Sequence, residues 1–184
     1  MSVPPKNSSP LSVKEQLIND LDDARQAMYD ILNELDVKKE IYPEWTIQHI
    51  LAHLAGWDDA ALDSLRAYAQ GSESKLPIFR GIDDYNAHSV ATRQDLNYRQ
   101  VYAEWELVRQ QLKDILHAMP DEKYTGKMLF PWGERGPIAD FVEIWVHHER
   151  GHAREIRGLI TAKPPETPPI QPEQETPDSE QKSP

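Results

Sequence analysis

The chain has 184 residues, which suits one domain with short tails, and its hydrophobic content of 39% allows a modest core. Because it contains no cysteine, disulfides, thiolate zinc sites, cysteine nucleophiles and iron–sulfur clusters are excluded, and any metal must be held by His, Asp or Glu. Its formal net charge of -11 predicts that neither nucleic acid nor an anionic membrane is a partner.

The N-terminal sequence MSVPPKNSSPLS has no apolar run and no basic start, and no stretch of the chain is long and apolar enough to span a bilayer. A cytoplasmic location is therefore expected. Residues 1–11 are polar and contain three prolines, which predicts a flexible N-terminal arm.

Apolar residues at steps of three and four predict a first amphipathic helix from Ser12 to about Leu35, with Glu15 completing a capping box at its start. Pro43 interrupts the pattern. A second helix follows Thr46 and ends near Gly71, where glycine is a natural stop.

Residues 72–96 form a long link in which the segment IDDYNAHSVAT has a pattern compatible with a helix. A third helix is predicted from about Tyr98 to Met119, and Pro137 suits the first turn of a fourth. No strand alternation is visible. The sequence therefore predicts an all-α four-helix bundle at residues 12–162 with a long crossover between helices 2 and 3, followed by a disordered Pro/Glu-rich tail at 163–184.

Two histidines, His148 and His152, lie four residues apart in the predicted fourth helix and so share one face of it. Trp145 and Ile156 on the same stripe indicate that this face points into the bundle. His53 lies on the apolar side of the second helix. If the two helices pack side by side, three imidazoles meet and can hold a divalent ion with an open coordination position.

The spacing alone also fits histidines that pack in a core or lie on the surface. His49 is either an alternative ligand or a residue at the exposed edge of its helix, and His147 points about 100° away from His148. Glu149 and Glu155 are candidates to orient an imidazole, with solvated surface positions as the alternative.

Trp132 follows a proline in the loop before the fourth helix. Together with Phe130 it either overhangs the mouth of the bundle or anchors the loop.

Three stretches resemble the DinB/YfiT-like superfamily of four-helix bundles. They are WTIQHILAHLAGWDD (45–59), IDDYNAHSVATRQDL (82–96) and PWGERGPIADFVEIWVHHERGHAREIRGLI (131–160). With the helix order included, the resemblance covers residues 12–161. It implies an up-down-down-up bundle with metal ligands at His53, His148 and His152.

The resemblance also implies activities. Members bind a divalent metal, commonly zinc or nickel, and many are dimers. Some are transferases or isomerases that use low-molecular-weight thiols, as in the branch like the N-terminal domain of mycothiol-dependent maleylpyruvate isomerase, and the DfsB/ClbS-like branch includes hydrolases that protect against a genotoxin. His152 is followed here by Ala153, Arg154 and Glu155 instead of the commonest Arg-Gly-Gln, so the substrate is not assigned.

The leading hypothesis is a metal-dependent enzyme in which the three histidines hold zinc or nickel, and the ion activates a thiol or water for transfer, isomerisation or hydrolysis. The expected partners are a small-molecule substrate, a thiol cosubstrate and a second copy of the chain, without nucleic acid or membrane. The alternative is a non-catalytic stress-response or binding bundle whose metal is structural or absent. DNA binding is disfavoured by the net charge, and no basic helix face is predicted.

Overall fold

The computed structural model describes residues 12–75, 78 and 80–161. Its helices are α1 (Val13–Leu32), α2 (Ile47–Ala69), α3 (Ile82–Ala91), α4 (Tyr98–Ala118) and α5 (Ile138–Thr161), and a short 3-10 helix covers Asp121–Thr125. Two antiparallel hairpins pair β1 (Glu40–Tyr42) with β2 (Trp45–Thr46) and β3 (Lys127–Leu129) with β4 (Arg135–Pro137). The predicted arm at 1–11 and the predicted tail at 163–184 lie outside the described residues.

Local hydrogen bonds explain where the first two helices begin. The Ser12 hydroxyl accepts the N–H of Glu15 at 3.2 Å and the Glu15 carboxylate accepts the N–H of Ser12 at 2.8 Å, which confirms the predicted capping box. Thr46 precedes α2 as predicted, and its N–H donates to Nδ1 of His49 at 3.0 Å. His49 therefore caps its own helix.

The structure differs from the sequence prediction in the connections. The link at residues 72–96 contains α3, so the segment IDDYNAHSVAT does form a helix. Helix α1 ends at Leu32 rather than Leu35. The sequence shows no strand alternation, yet the structure adds two short hairpins to the predicted helices. Each described strand has only two or three residues, and alternation becomes recognisable over about four to eight. Pro137 ends β4 immediately before α5 instead of lying in the first turn.

The ion pairs between helices fix their directions. Asp23 of α1 pairs with Arg150 of α5, and further along both segments Glu34, two residues after α1, pairs with Arg157. These two helices are therefore parallel.

Helices α2 and α4 are also parallel, because Gln48 reaches the carbonyl of Leu96 at one end and Arg66 reaches Gln111 towards the other. α1 and α4 are antiparallel, since Lys14 at the start of α1 bonds the carbonyl of His117 at the end of α4. The bundle is therefore up-down-down-up, as the resemblance implied.

The core lies between the four long helices, and each contributes large side chains that are at most 1% exposed, for example Leu21, Leu51, Trp105 and Phe141. No helix in the described part of the chain combines the length and the apolar character needed to cross a membrane.

Candidate metal centre

Three histidine side chains converge between α2 and α5. Nε2 of His148 lies 3.0 Å from Nε2 of His53 and 3.2 Å from Nε2 of His152, and the three potential ligand atoms all lie within 4.8 Å of one another. Helix periodicity placed His148 and His152 on one inward face, and the antiparallel packing of α2 beside α5 adds His53. The predicted convergence is present, while metal ligation by these atoms stays a prediction.

Burial keeps these imidazoles neutral. His53 is 5% exposed, and burial together with the neighbouring histidines lowers its pKa to about 3. Burial likewise lowers the pKa of His148 to about 4 and shifts the pKa of His152 downward. At neutral pH all three rings carry a nitrogen lone pair, which is the form that binds a metal.

The contacts among the rings fit a shared cation. A neutral Nε2 carries either one hydrogen or one lone pair, so at most one of the two short contacts of His148 is a good hydrogen bond. A cation between the rings would satisfy all three lone pairs. Two of the three separations, 3.0 and 3.2 Å, are also close to the distance of about 3.3 Å expected between nitrogens bound to one tetrahedral zinc, and the third lies within 4.8 Å. The donor set therefore fits a divalent ion such as zinc or nickel.

Tyr42 orients one of the rings. Its hydroxyl donates to Oε2 of Glu155 at 2.6 Å and lies 3.3 Å from Nδ1 of His152. Since the single hydroxyl hydrogen is used by the carboxylate, the Tyr42 oxygen accepts from Nδ1–H of His152, and the lone pair is left on Nε2. Glu155 thus acts on the imidazole through Tyr42, a link that spacing along α5 did not reveal.

A buried group of four charged residues lies next to the histidines. Arg25, Asp58, Arg109 and Glu149 come from α1, α2, α4 and α5 respectively, and each is at most 4% exposed. We call these residues the ion quartet. Both expectations for Glu149, an imidazole partner or a solvated carboxylate, were wrong.

Short contacts close the ion quartet. Arg109 bonds both oxygens of Asp58 at 2.8 and 2.9 Å and one oxygen of Glu149 at 2.6 Å. Arg25 pairs with Asp58 at 3.2 Å and with Glu149 at 2.9 Å. Although burial lowers the pKa of Arg109, Asp58 and Glu149 together raise it above its ordinary value. Two cations thus face two carboxylates, which is the balance a buried charge cluster requires.

A cavity of about 660 Å³ opens in front of the histidines. Aromatic and aliphatic side chains dominate its wall, which consists of Trp45, His53, Trp57, Ile82, Asn86, Trp132, Glu134, Ile144, Trp145, His148 and His152. Its volume lies in the range typical of small-molecule sites, roughly 300–1,000 Å³.

The remaining candidates have other positions. His147 is exposed on α5, with 66% of its side chain accessible. Trp132 overhangs the cavity and stacks on Trp145, with ring centroids 5.9 Å apart and planes 12° apart. Phe130 is 5% exposed and lies in the core behind Trp132 rather than in the cavity wall.

The fold and the histidine cluster define a helical bundle with a candidate metal centre on its inner face. The chain belongs to the DinB superfamily, whose family model matches residues 20–156. This confirms the resemblance read from the sequence. A search of curated proteins found no match.

Solved structures with the same fold include proteins of different function. The colibactin self-resistance protein ClbS, in complex with double-stranded DNA, aligns with a TM-score of 0.69 at 14% identity over 85% of this chain and 100% of its own. A mycothiol-dependent maleylpyruvate isomerase aligns with a TM-score of 0.65 at 14% identity over 79% of this chain, which spans 61% of the isomerase. An uncharacterised protein from Escherichia coli UTI89 gives 0.66 at 13% identity, over 79% of this chain and 91% of its own. At these identities the similarity establishes the fold alone.

One sequence prediction is overturned by this comparison. Nucleic acid was excluded as a partner, yet ClbS has the same fold and was crystallised with double-stranded DNA. The exclusion was wrong because it used the net charge of the whole chain, whereas nucleic acid binding depends on local clusters of basic residues. Arg150, Arg154 and Arg157 lie on one face of α5 and line a surface depression of about 440 Å³.

Proposed function

We propose that His53, His148 and His152 hold a divalent metal ion, zinc or nickel, and that the cavity before them is the catalytic site of an enzyme acting on a small molecule. The convergence of three neutral Nε2 atoms at the base of this cavity carries the proposal. Three protein ligands are typical of catalytic zinc sites, since a structural site is usually closed by four.

The proposed chemistry is transfer or hydrolysis with a thiol or water as nucleophile. When bound, the ion lowers the pKa of a thiol or water at its open position. The chain contains no cysteine, so a thiol must come from a cosubstrate. Tyr42 and Glu155 hold the proton of His152 on Nδ1, and indole rings line the cavity in front of the three histidines.

Metal analysis of the protein prepared without an affinity tag tests the site. After loading with zinc or nickel and removal of excess metal, we expect about one ion per chain in the wild type, as for a three-ligand site. His148→Ala and His152→Ala should lose this ion, while His147→Ala, a histidine exposed on the same helix, should retain it. Sub-stoichiometric metal in the wild type, or equal metal in all four proteins, would refute the proposal.

A second candidate function is nucleic acid binding along the arginine face of α5. The face consists of Arg150, Arg154 and Arg157, and two of these make ion pairs of 3.9 and 3.7 Å with the exposed carboxylates of Asp23 on α1 and Glu34 just after it. Such surface pairs contribute little free energy, so backbone phosphates can replace the carboxylates.

A salt titration of duplex DNA binding tests this second function. We expect Arg154→Gln/Arg157→Gln to weaken binding and reduce its salt dependence by about two counterions. The control, Arg66→Gln/Arg99→Gln, makes the same change of charge at exposed positions on α2 and α4. No binding by the wild type, or equal losses in both variants, would remove the arginine face as a binding site.

A further inference from the structure

Three of the four indoles of the cavity wall donate their N–H groups to acceptors of the protein itself. Nε1 of Trp57 donates to Oδ1 of Asn86 at 2.9 Å, and Nε1 of Trp132 donates to Oε2 of Glu134 at 2.9 Å. Nε1 of Trp145 donates to the carbonyl of Trp57 at 3.2 Å. These three rings therefore offer a ligand their apolar surface and not a hydrogen-bond donor.

The charge of the wall has one sign. Among the described residues that line the cavity there is no lysine or arginine, and Glu134 is an exposed carboxylate at its rim. Its oxygens and the Asn86 carbonyl are acceptors. An anionic ligand placed against this wall would meet a like charge with no cationic side chain to compensate it, whereas a positive group would meet a carboxylate and the faces of electron-rich rings.

We infer that the cavity takes an apolar organic cation, an aromatic or alkyl amine or a quaternary ammonium compound, as the substrate of the proposed enzyme. Its positive nitrogen lies between Glu134 and the indoles of Trp132 and Trp57. Its uncharged end points to the histidines, because a divalent ion there would repel a second cation and attract an oxygen or sulfur atom. The orientation rests on the proposed function, but the charge preference of the wall does not depend on the metal.

Three probes of similar shape separate charge from size. Benzyltrimethylammonium, its uncharged carbon analogue neopentylbenzene, and benzylsulfonate differ mainly in the sign of one group. We would titrate each into the full-length, metal-free protein and follow binding by calorimetry and by quenching of tryptophan fluorescence. The first two would also be titrated into the zinc-loaded protein, where benzylsulfonate is left out because it can contact the ion directly.

We expect the cation to bind about two- to fivefold more tightly than neopentylbenzene, the effect of a cation–π contact at an exposed site, and benzylsulfonate to bind more weakly than either. Glu134→Gln removes the charge but keeps an oxygen for the Trp132 N–H, so it should weaken only the cation. The matched control is Glu143→Gln on α5, whose side chain is 65% exposed and outside the cavity, and it should bind all three probes like the wild type.

Equal affinities for the three probes, tightest binding of the sulfonate, or loss of cation binding in both variants would overturn the inference. These outcomes are distinguishable from failure of the proposed function. If the protein binds the cation preferentially but holds no zinc, the inference about the ligand stands and the proposed metal-dependent reaction fails. If the protein holds zinc but shows no charge preference, the metal site stands and the inference about the ligand fails.

Discussion

A single residue outside the histidine cluster, Tyr42, holds the proton of one of its imidazoles. The hydroxyl lies between Glu155 and His152 although Tyr42 is 110 residues from that histidine in the chain. Burial and the Glu155 carboxylate raise the pKa of Tyr42 above its ordinary value, so the hydroxyl stays protonated and keeps donating to Glu155. The second nitrogen of a ligating histidine commonly has such a partner, which fixes the tautomer and the ring orientation.

Tyr42→Phe should weaken metal binding without abolishing it. The substitution keeps the ring and removes the oxygen that faces Nδ1 of His152, and loss of such a partner typically costs about 10–100-fold in metal affinity. Competition with a chelator of known affinity measures the change. Tyr102→Phe is the control, because that ring lies on α4 against Trp105. Equal affinities in wild type and Tyr42→Phe would show that Tyr42 does not orient the ligand.

Sequence patterns predicted some of these residues and missed others for identifiable reasons. His148 and His152 were recognisable because helix periodicity places residues four apart in the sequence on the same face. Tyr42 carries no such signal, since its role arises from a hairpin that packs against a distant helix. The sequence did contain a signal for Glu149. This residue lies four residues after Trp145 on the inward stripe, and a charged residue in that position indicates a buried partner.

At the scale of elements, α3 closes one side of the cavity and depends on a close approach to α2. The Tyr85 hydroxyl donates to the carbonyl of Gly56 at 2.7 Å, and a Cβ at Gly56 would lie 2.2 Å from Cβ of Ser89. Ile82 and Asn86 of α3 line the cavity as a result. The sequence predicted the long helices because their apolar stripes repeat over many turns, but α3, with Ser89 as its only buried residue, shows little stripe to recognise.

Gly56→Ala should therefore destabilise the protein by about 1–3 kcal/mol, the usual cost of overpacking, because the helices must separate. The double variant Gly56→Ala/Ser89→Gly removes the clashing Cβ and should show a favourable coupling energy in a double-mutant cycle. Gly151→Ala is the control: nothing lies within 4 Å of its added Cβ, so helix propensity should make it neutral or stabilising. Urea denaturation followed by circular dichroism gives the free energies, and additive effects of the two substitutions would contradict the proposed contact.

At the scale of the whole molecule, the ion quartet joins the four long helices at one level of the bundle. Every member has partners on at least two other helices, through contacts of 2.6 to 3.2 Å. Apolar stripes allow neighbouring helices to slide or rotate in small steps, whereas bidentate arginine–carboxylate pairs fix distance and direction. His148 directly precedes Glu149, and His53 lies five residues before Asp58 on α2, so the same contacts hold α2 and α5 in the register that brings the histidines together.

Glu149→Ala should be strongly destabilising, because it leaves Arg25 and Arg109, which are 4% and 3% exposed, with Asp58 as the one buried carboxylate between them. Removing one partner of a buried ion pair costs about 3–5 kcal/mol, and urea denaturation should show a loss of this size. Glu143→Ala, an exposed position on the same helix, should change the free energy of unfolding by less than about 0.5 kcal/mol.

If the ion quartet also sets the register of α2 and α5, Glu149→Gln, which keeps the shape of the side chain and loses its charge, should lower metal affinity while the protein remains folded. Wild-type stability and metal affinity in both Glu149 variants would show that apolar packing alone positions the four helices.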